Sequence, residues 1–215
     1  LGAVACFFET PWSRVSPALT EADQAWLLNQ AAFRLRALGR LTESLEPMRA
    51  GLEMTVNQVD WNNAARYARN LNELELTLGE VAEAVGDAAL SVQYADRSGD
   101  AFQRMASRTT HADVLHQAGR RDEAAMRFRE AEQMHSEWQP GYPLLYSVRG
   151  HQYCDLLLAE SERAAWRRDE GGGMRDELLA ACRAVSQRAA QTIKIAEQNN
   201  WLLDIALDHL TLARV

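Results

Sequence analysis

The sequence has little proline, five residues in 215, and valine, isoleucine and threonine are few beside alanine, leucine, glutamate and arginine. A chain short of helix breakers and of β-branched residues favours helix over strand. Cysteine is scarcer still. Cys6, Cys154 and Cys182 are odd in number, far apart and without a CxxC pair. That argues against a disulfide framework or a structural zinc site and points to a reducing, cytoplasmic setting. No apolar run approaches the ~20 residues that a bilayer-spanning helix needs. The run LGAVACFF has no basic segment before it and does not read as a signal peptide. No block of Lys or Arg stands out and the net charge is −7, which excludes non-specific binding to nucleic acid through its phosphates. The phosphate loop GxxxxGK[ST] is missing, so any nucleotide-hydrolysing domain lies outside these residues. The chain opens on Leu and closes on LTLARV, which reads as a piece of a longer protein. What is present, 47% apolar and 25% charged residues, is ordinary globular composition.

One turn recurs at a constant interval. Gly39, Gly79 and Gly119 are forty residues apart in sequence, in LRALGRLTES, LTLGEVAEA and HQAGRRDEA. Four residues after each glycine comes Glu43, Glu83 or Glu123, and the next position is small: Ser44, Ala84, Ala124. Nineteen residues before each glycine stands a helix-starting residue, Thr20, Asp60 or Asp100. Each of these accepts hydrogen bonds from the free N–H groups of a first helical turn. Every unit therefore reads as cap, helix A, glycine turn, helix B. The glycine ends helix A in a left-handed conformation, and the small residue lets helix B lie close. In WNNAARYARNLNELELTL the residues Ala64, Tyr67, Ala68, Leu71, Leu74 and Leu78 form one apolar helical face.

The predicted organisation is a lead-in or partial preceding element over 1–19 and repeats over 20–215. The units are 20–59, 60–99, 100–139, 140–198 and a partial unit 199–215. In the fourth, Pro140, Gly141 and Pro143 break the chain and start a helix at YPLLYSVRGHQYCDLLLAE. Its glycine column falls on Ala159 and the next on Ala213, fourteen residues more than the period, so an insertion is placed around 165–178.

The Gly, the Glu-Ala step and the Ala124, Phe128, Ala131 stripe of AGRRDEAAMRFREAEQM resemble the tetratricopeptide repeat. The resemblance covers residues 20 to 215 and implies an all-α, right-handed α-solenoid of helical hairpins with a forty-residue period. The segments ADQAWLLNQAAFRLRALGRL, ADRSGDAFQRM and NWLLDIALDHLTLARV also resemble the repeat region of large bacterial multidomain signalling ATPases of the STAND/NACHT-like type, where such repeats follow a nucleotide-binding switch domain.

Reactive chemistry finds little support. Gly171–Gly173 follows charged residues and no Lys-Ser/Thr comes after it, so it reads as a loop and not as a phosphate cradle. His111 and His151 share a repeat column, and Asp113/His116 and Asp204/Asp208/His209 are small clusters; packing or local hydrogen bonds explain each, and no metal site is assigned. Cys154 has His151 one turn away but neither an orienting group nor an oxyanion site. The six tryptophans share no column and read as packing residues. No cofactor is expected and the chain reads as no enzyme.

The repeat resemblance implies that A helices line a concave face where a protein or peptide docks. The columns carried over are Trp26, Arg66, Ala106, Tyr146; then Asn29, Arg69, Thr109, Arg149; then Phe33, Glu73, Asp113, Tyr153; with Gln30, Asn70 and Thr110 beside them. Arg66, Arg69, Asn70 and Arg149 suit an acidic group, and Phe33, Tyr146 and Tyr153 add apolar area. The family's carboxylate clamp is not reproduced, because Glu73 and Asp113 occupy a column that should be neutral or basic. The expected function is a non-enzymatic protein- or peptide-binding module, the sensor or scaffold part of a larger bacterial signalling protein. The alternatives are a self-assembly scaffold, associating through exposed array ends into a homo-oligomer, and a metal-dependent enzyme using the His111/His151 column.

Overall fold

In a computed structural model, which describes residues 2–167 and 172–215, the chain is all-α apart from one short ribbon. It divides into two compact units, residues 1–120 and 121–215. The first holds α1 (Gly2–Ala5), β1 (Phe8–Thr10), β2 (Arg14–Val15), α2 (Glu21–Ala37), α3 (Leu41–Asn57), α4 (Trp61–Leu78), α5 (Val81–Ser98) and α6 (Ala101–Gln117). The second holds α7 (Arg121–Trp138), α8 (Ser147–Arg167), α9 (Gly172–Gln198) and α10 (Leu202–Leu212). Within each unit every long helix packs on the next, so the helices follow one another as consecutive hairpins. Alternate helices meet as well, α4 with α6 and α8 with α10.

The repeated letters do the same physical job wherever they occur. Thr20 Oγ1 accepts from the Asp23 backbone N–H at 3.2 Å, and the Thr20 hydroxyl donates to the Asp23 carboxylate at 2.6 Å. Asp60 accepts from the Asn63 N–H at 3.1 Å and Asp100 from the Gln103 N–H at 2.7 Å. These side chains satisfy donors that the first turn of α2, α4 or α6 leaves open. At the other end, Gly39, Gly79 and Gly119 take φ of 73°, 83° and 78°. The N–H of the following residue then donates back to the carbonyl of Leu35, Glu75 or Leu115 at 2.9 Å, closing the last turn.

The opposite turn, from helix B to the next helix A, uses the same left-handed device on different residues. Gly99 supplies it after α5, Asn200 after α9 and Val59 after α3, the last at φ 59°. Asn adopts this conformation readily; a β-branched Val adopts it only under strain.

The small column is fully buried. Ser44, Ala84 and Ala124 are all 0% exposed. In the first unit Ala32 of α2, Leu45, Met48 and Leu52 of α3, and Ala64, Tyr67, Ala68, Leu71 and Leu74 of α4 form one apolar cluster. Ala84, Ala88 and Val114 join α5 to α6. In the second unit Cys154 and Leu158 of α8 pack on Val185 of α9.

The structure adds detail to the lead-in and differs from the sequence expectation further along the chain. In residues 1–19, β1 and β2 pair antiparallel with Phe8 opposite Val15, and Val15 packs against Leu27 and Leu28. The first helix of the fourth repeat begins at Ser147 and not at the prolines. Leu145 is buried and its N–H is held by Glu132 at 2.9 Å, while Ser147 sits at φ 59°, so the stretch between Pro140 and Ser147 is tied down outside helical geometry. The insertion expected at 165–178 falls partly outside the described residues, as does Gly171, but Gly172 and Gly173 belong to the first turn of α9 and not to a loop.

The left-handed turns give a paired prediction. Val59→Gly removes strain and stabilises the first unit by about 1 kcal/mol, while Gly79→Ala introduces it and costs about the same. Thermal unfolding of the two variants beside the wild type reads opposite signs.

Candidate functional site

Helices α2 and α4 present the face that the repeat columns single out in the first unit. Trp26 and Phe33 are seven residues apart on α2, which places them two turns apart on one side. They are 54% and 64% exposed, unusual for large aromatic residues. Asn29 and Gln30 lie between them, half-buried. Across from them on α4, Arg66 is exposed, and Arg69, Asn70 and Glu73 are half-buried. Arg36 of α2 reaches Glu73 of α4 at 3.5 Å.

Between Trp26 and Arg66 the chain encloses a recess of about 270 Å³. Its walls include Ala22 and Trp26 of α2, Thr55 near the end of α3, Gln58, and Asn63, Arg66 and Tyr67 of α4. A hydrogen-bond relay orients the arginine: Arg66 donates to Asn63 Oδ1 at 2.6 Å, and Asn63 Nδ2 donates to Asp60 Oδ2 at 2.6 Å. The guanidinium also lies over the Tyr67 ring, 5.3 Å from its centre. Gln58 Nε2 is buried at the recess and meets no acceptor among the described residues. The recess thus combines an oriented cation, an unused amide donor and an aromatic flank.

Other column residues turn out to be structural. Arg69 donates to Gln103 Oε1 at 2.9 Å, and Gln103 Nε2 donates to Asn62 Oδ1 at 3.2 Å, so this column stitches α4 to α6. Thr109 is buried and its hydroxyl donates to the Ala106 carbonyl at 2.7 Å; Thr110 does likewise at 3.2 Å. Asp113 is half-buried and already engaged.

In the second unit Tyr146 stacks on Trp201 with centres 5.6 Å apart, and both line an open hollow of about 400 Å³ with Arg149 and Asp204. Tyr153, expected to face a ligand, is buried. Its ring is sandwiched between Phe128 at 4.8 Å and the Arg188 guanidinium at 4.8 Å, and Arg188 is itself ion-paired with Glu132.

The candidate reactive groups are quiet. Burial pushes the Cys154 thiol up to about 11, away from the thiolate that a nucleophile needs. His151 Nδ1 lies 3.0 Å from Thr211 Oγ1, an internal hydrogen bond within the second unit. His111 is buried in α6. No grouping of three or more metal-ligating side chains occurs among the described residues, and no helix among them is long and apolar enough to cross a membrane.

One polar cluster carries no sequence motif. Glu75 of α4 is 1% exposed and occupies the column that holds Leu35 and Leu115 in the neighbouring repeats. Arg49 of α3 donates to Glu75 Oε1 at 2.9 Å. Burial, only partly offset by Arg49 and reinforced by Asp87, pushes the Glu75 carboxyl up to about 7; burial also raises Asp87. The signal in the sequence was the break in an apolar column, not a motif.

With this geometry in hand, comparison with known proteins adds no relative: no protein-family model matches the chain, and no curated protein is significantly similar to it.

Two outcomes follow. Trp26→Ala and Arg66→Glu, at exposed positions, shift unfolding free energy by less than about 0.5 kcal/mol, while Tyr153→Ala costs about 3–5 kcal/mol as a buried aromatic; chemical denaturation separates them. A carboxyl whose folded value lies above its unfolded 4.5 stabilises the fold at low pH and loses that contribution as pH rises through about 7. Stability therefore falls between about pH 4.5 and 7, and Glu75→Leu flattens that fall in pH-dependent denaturation.

Proposed function

We propose that this chain is a non-enzymatic binding module of tetratricopeptide type that docks a protein or peptide segment on the α2–α4 face. The observation that carries this reading is the recess between Trp26 and Arg66, with an exposed Phe33 beyond it on the same side of α2. Exposed aromatic residues beside an oriented arginine are the usual anchors of a protein interface. Arg66 suits a carboxylate of the ligand, because a guanidinium offers two parallel donors to an anion. The Gln58 amide suits a backbone carbonyl. Trp26 and Phe33 suit apolar side chains about two helical turns apart along the groove. The ligand class this supports is a short segment carrying an acidic residue between apolar ones. The likeness of the repeat letters to those of large bacterial signalling ATPases supports a place as the sensor or scaffold part of such a protein. Ligand capture there would bias a switch domain between two states.

A second reading, self-association, is favoured by α10. Leu202 is 74% exposed, and Leu203 and Leu210 of the same short helix are also exposed. Sedimentation over a range of concentrations tests it: a dimer that dissociates on Leu202→Glu supports self-association, and a monomer at all concentrations removes it.

The docking reading is tested with a displayed random-peptide library selected on the wild-type chain. Enriched peptides carry acidic and apolar residues, and their affinity drops at least about tenfold for Trp26→Ala and for Arg66→Glu, a loss of roughly 1.4 kcal/mol each. Peptides that bind both variants as tightly as the wild type would remove this face as the site.

A further inference from the structure

The recess between Trp26 and Arg66 carries more charge than a lone acidic side chain would answer. Asp23 of α2 and Asp60 at the start of α4 line it as well, and Arg66 is the one cation in its wall among the described residues. Asp23 accepts from the Thr20 hydroxyl, and Asp60 from the Asn63 backbone and side-chain amide. Each is hydrogen-bonded, and neither is ion-paired among the described residues. One carboxamide, that of Asn63, holds Asp60 on its nitrogen and Arg66 on its oxygen, each at 2.6 Å. The two opposite charges therefore lie within roughly 8 Å of each other. A ligand carboxylate on Arg66 neutralises the guanidinium and leaves both aspartates without a counter-charge. The complement of this wall is an anion with a cation close beside it.

Apart from those charges, the recess holds an unused donor. Gln58 lines it, and the buried Gln58 Nε2 meets no acceptor among the described residues. A buried donor without a partner is costly, and an incoming carbonyl relieves it. Three helices wall the recess: α2, α4 and the end of α3, where Thr55 and Gln58 stand. Such a recess takes the end of a chain more readily than it passes a chain through. Asp23 precedes Trp26 by three residues on α2 and shares its face. Phe33 follows Trp26 by seven residues, about 10 Å further along the same helix. The order along this face is thus carboxylate, aromatic, aromatic.

We infer that the docked segment enters this recess by its free N-terminus, with its α-ammonium between Asp23 and Asp60 and the carboxylate of its second residue on Arg66. This rests on the docking reading and adds which part of the segment is held there. The first side chain is apolar and packs on Trp26, and the Gln58 amide donates to the first carbonyl. The second residue is Asp or Glu. An extended chain advances at most about 3.6 Å per residue, so the fourth residue arrives opposite Phe33 and is apolar as well. An ammonium offers three donors and a positive charge to the two aspartates. The amide N–H of an acetylated or internal residue offers one donor and no charge, and leaves both aspartates unanswered.

The test is calorimetric titration of the whole chain at about pH 7, where an α-amino group is mostly protonated. The probes are the peptide Leu-Asp-Ala-Leu-Gly-Gly as its C-terminal amide and the same peptide acetylated at its N-terminus. The expected result is one saturable site for the free-ended peptide, with acetylation weakening it at least about tenfold. Asp60→Asn keeps the helix cap, because Asn caps as well as Asp, and Asp23→Asn falls at an exposed position. The double variant, checked for folding by circular dichroism, loses at least about tenfold for the free-ended peptide and binds the acetylated one as the wild type does. Should it fail to fold, Asp23→Asn alone carries the same arm with a several-fold loss. Equal binding of the two peptides, both lost on Arg66→Glu, would overturn end recognition and leave the docking face standing. No saturable binding of the free-ended peptide up to about 10 mM would overturn it as well. So would an acetylated peptide with lysine first that binds as tightly as the free-ended one, or variants that bind both peptides as the wild type does. Free-ended binding that survives both Trp26→Ala and Arg66→Glu would remove the docking reading with it.

Discussion

After each of three repeated glycine turns, the following helix buries a small residue in its first turn. Ser44, Ala84 and Ala124 hold those points and are fully buried. An added branch there would force neighbouring side chains off their rotamers or push the helices apart, at roughly 1–3 kcal/mol. The glycine five residues earlier sets the angle at which helix B leaves helix A, and the cap nineteen residues before that glycine sets where helix A begins. Length, angle and approach are thus fixed by three local devices repeated at one interval. The consequence is spatial: in the first unit Arg69 of α4 reaches Gln103 of α6, which in turn reaches Asn62.

Those devices were legible because each acts over a few residues. A cap needs only its own first turn, and a left-handed glycine only its own φ, so Thr20, Asp60, Asp100, Gly39, Gly79 and Gly119 appear in the structure in the roles their letters imply. The lead-in ribbon and the late start of α8 were not legible, because both depend on partners distant in sequence: Val15 on Leu27 and Leu28, Leu145 on Glu132. Residue columns located a surface less well than they located helices. Trp26, Phe33 and Arg66 lie open, whereas Ala106, in the column of Trp26 and Arg66, and Tyr153, in that of Phe33, are inside. Tyr153 is covered by Phe128 and Arg188, residues with no sequence relation to its column. A column states which residues are equivalent, and burial depends on what each one meets.

The departures from the repeat are the informative positions for function. Where Leu35 and Leu115 fill the core, Glu75 brings a carboxylate and binds Arg49. Where Gly99 turns the chain freely, Val59 turns it under strain, immediately beside Gln58 and Asp60 of the recess. A repeat array has no need of either residue for its own stability, since leucine and glycine serve better in those roles. Val59 adjoins Gln58 and Asp60, which line the recess, and Glu75 pairs with Arg49, which lines a hollow between α3 and α5.

The central claim is that, within the first unit, the repeat sets α6 beside α4, so that the first turns of these two A helices are spatial neighbours. Nuclear Overhauser spectra of the chain, with the side-chain amides of Gln103 and Asn62 and the guanidinium of Arg69 assigned, test it most directly. The account predicts cross-peaks from the Gln103 side-chain amide to both Asn62 and Arg69. Intact helices α4 and α6 with neither cross-peak would contradict it.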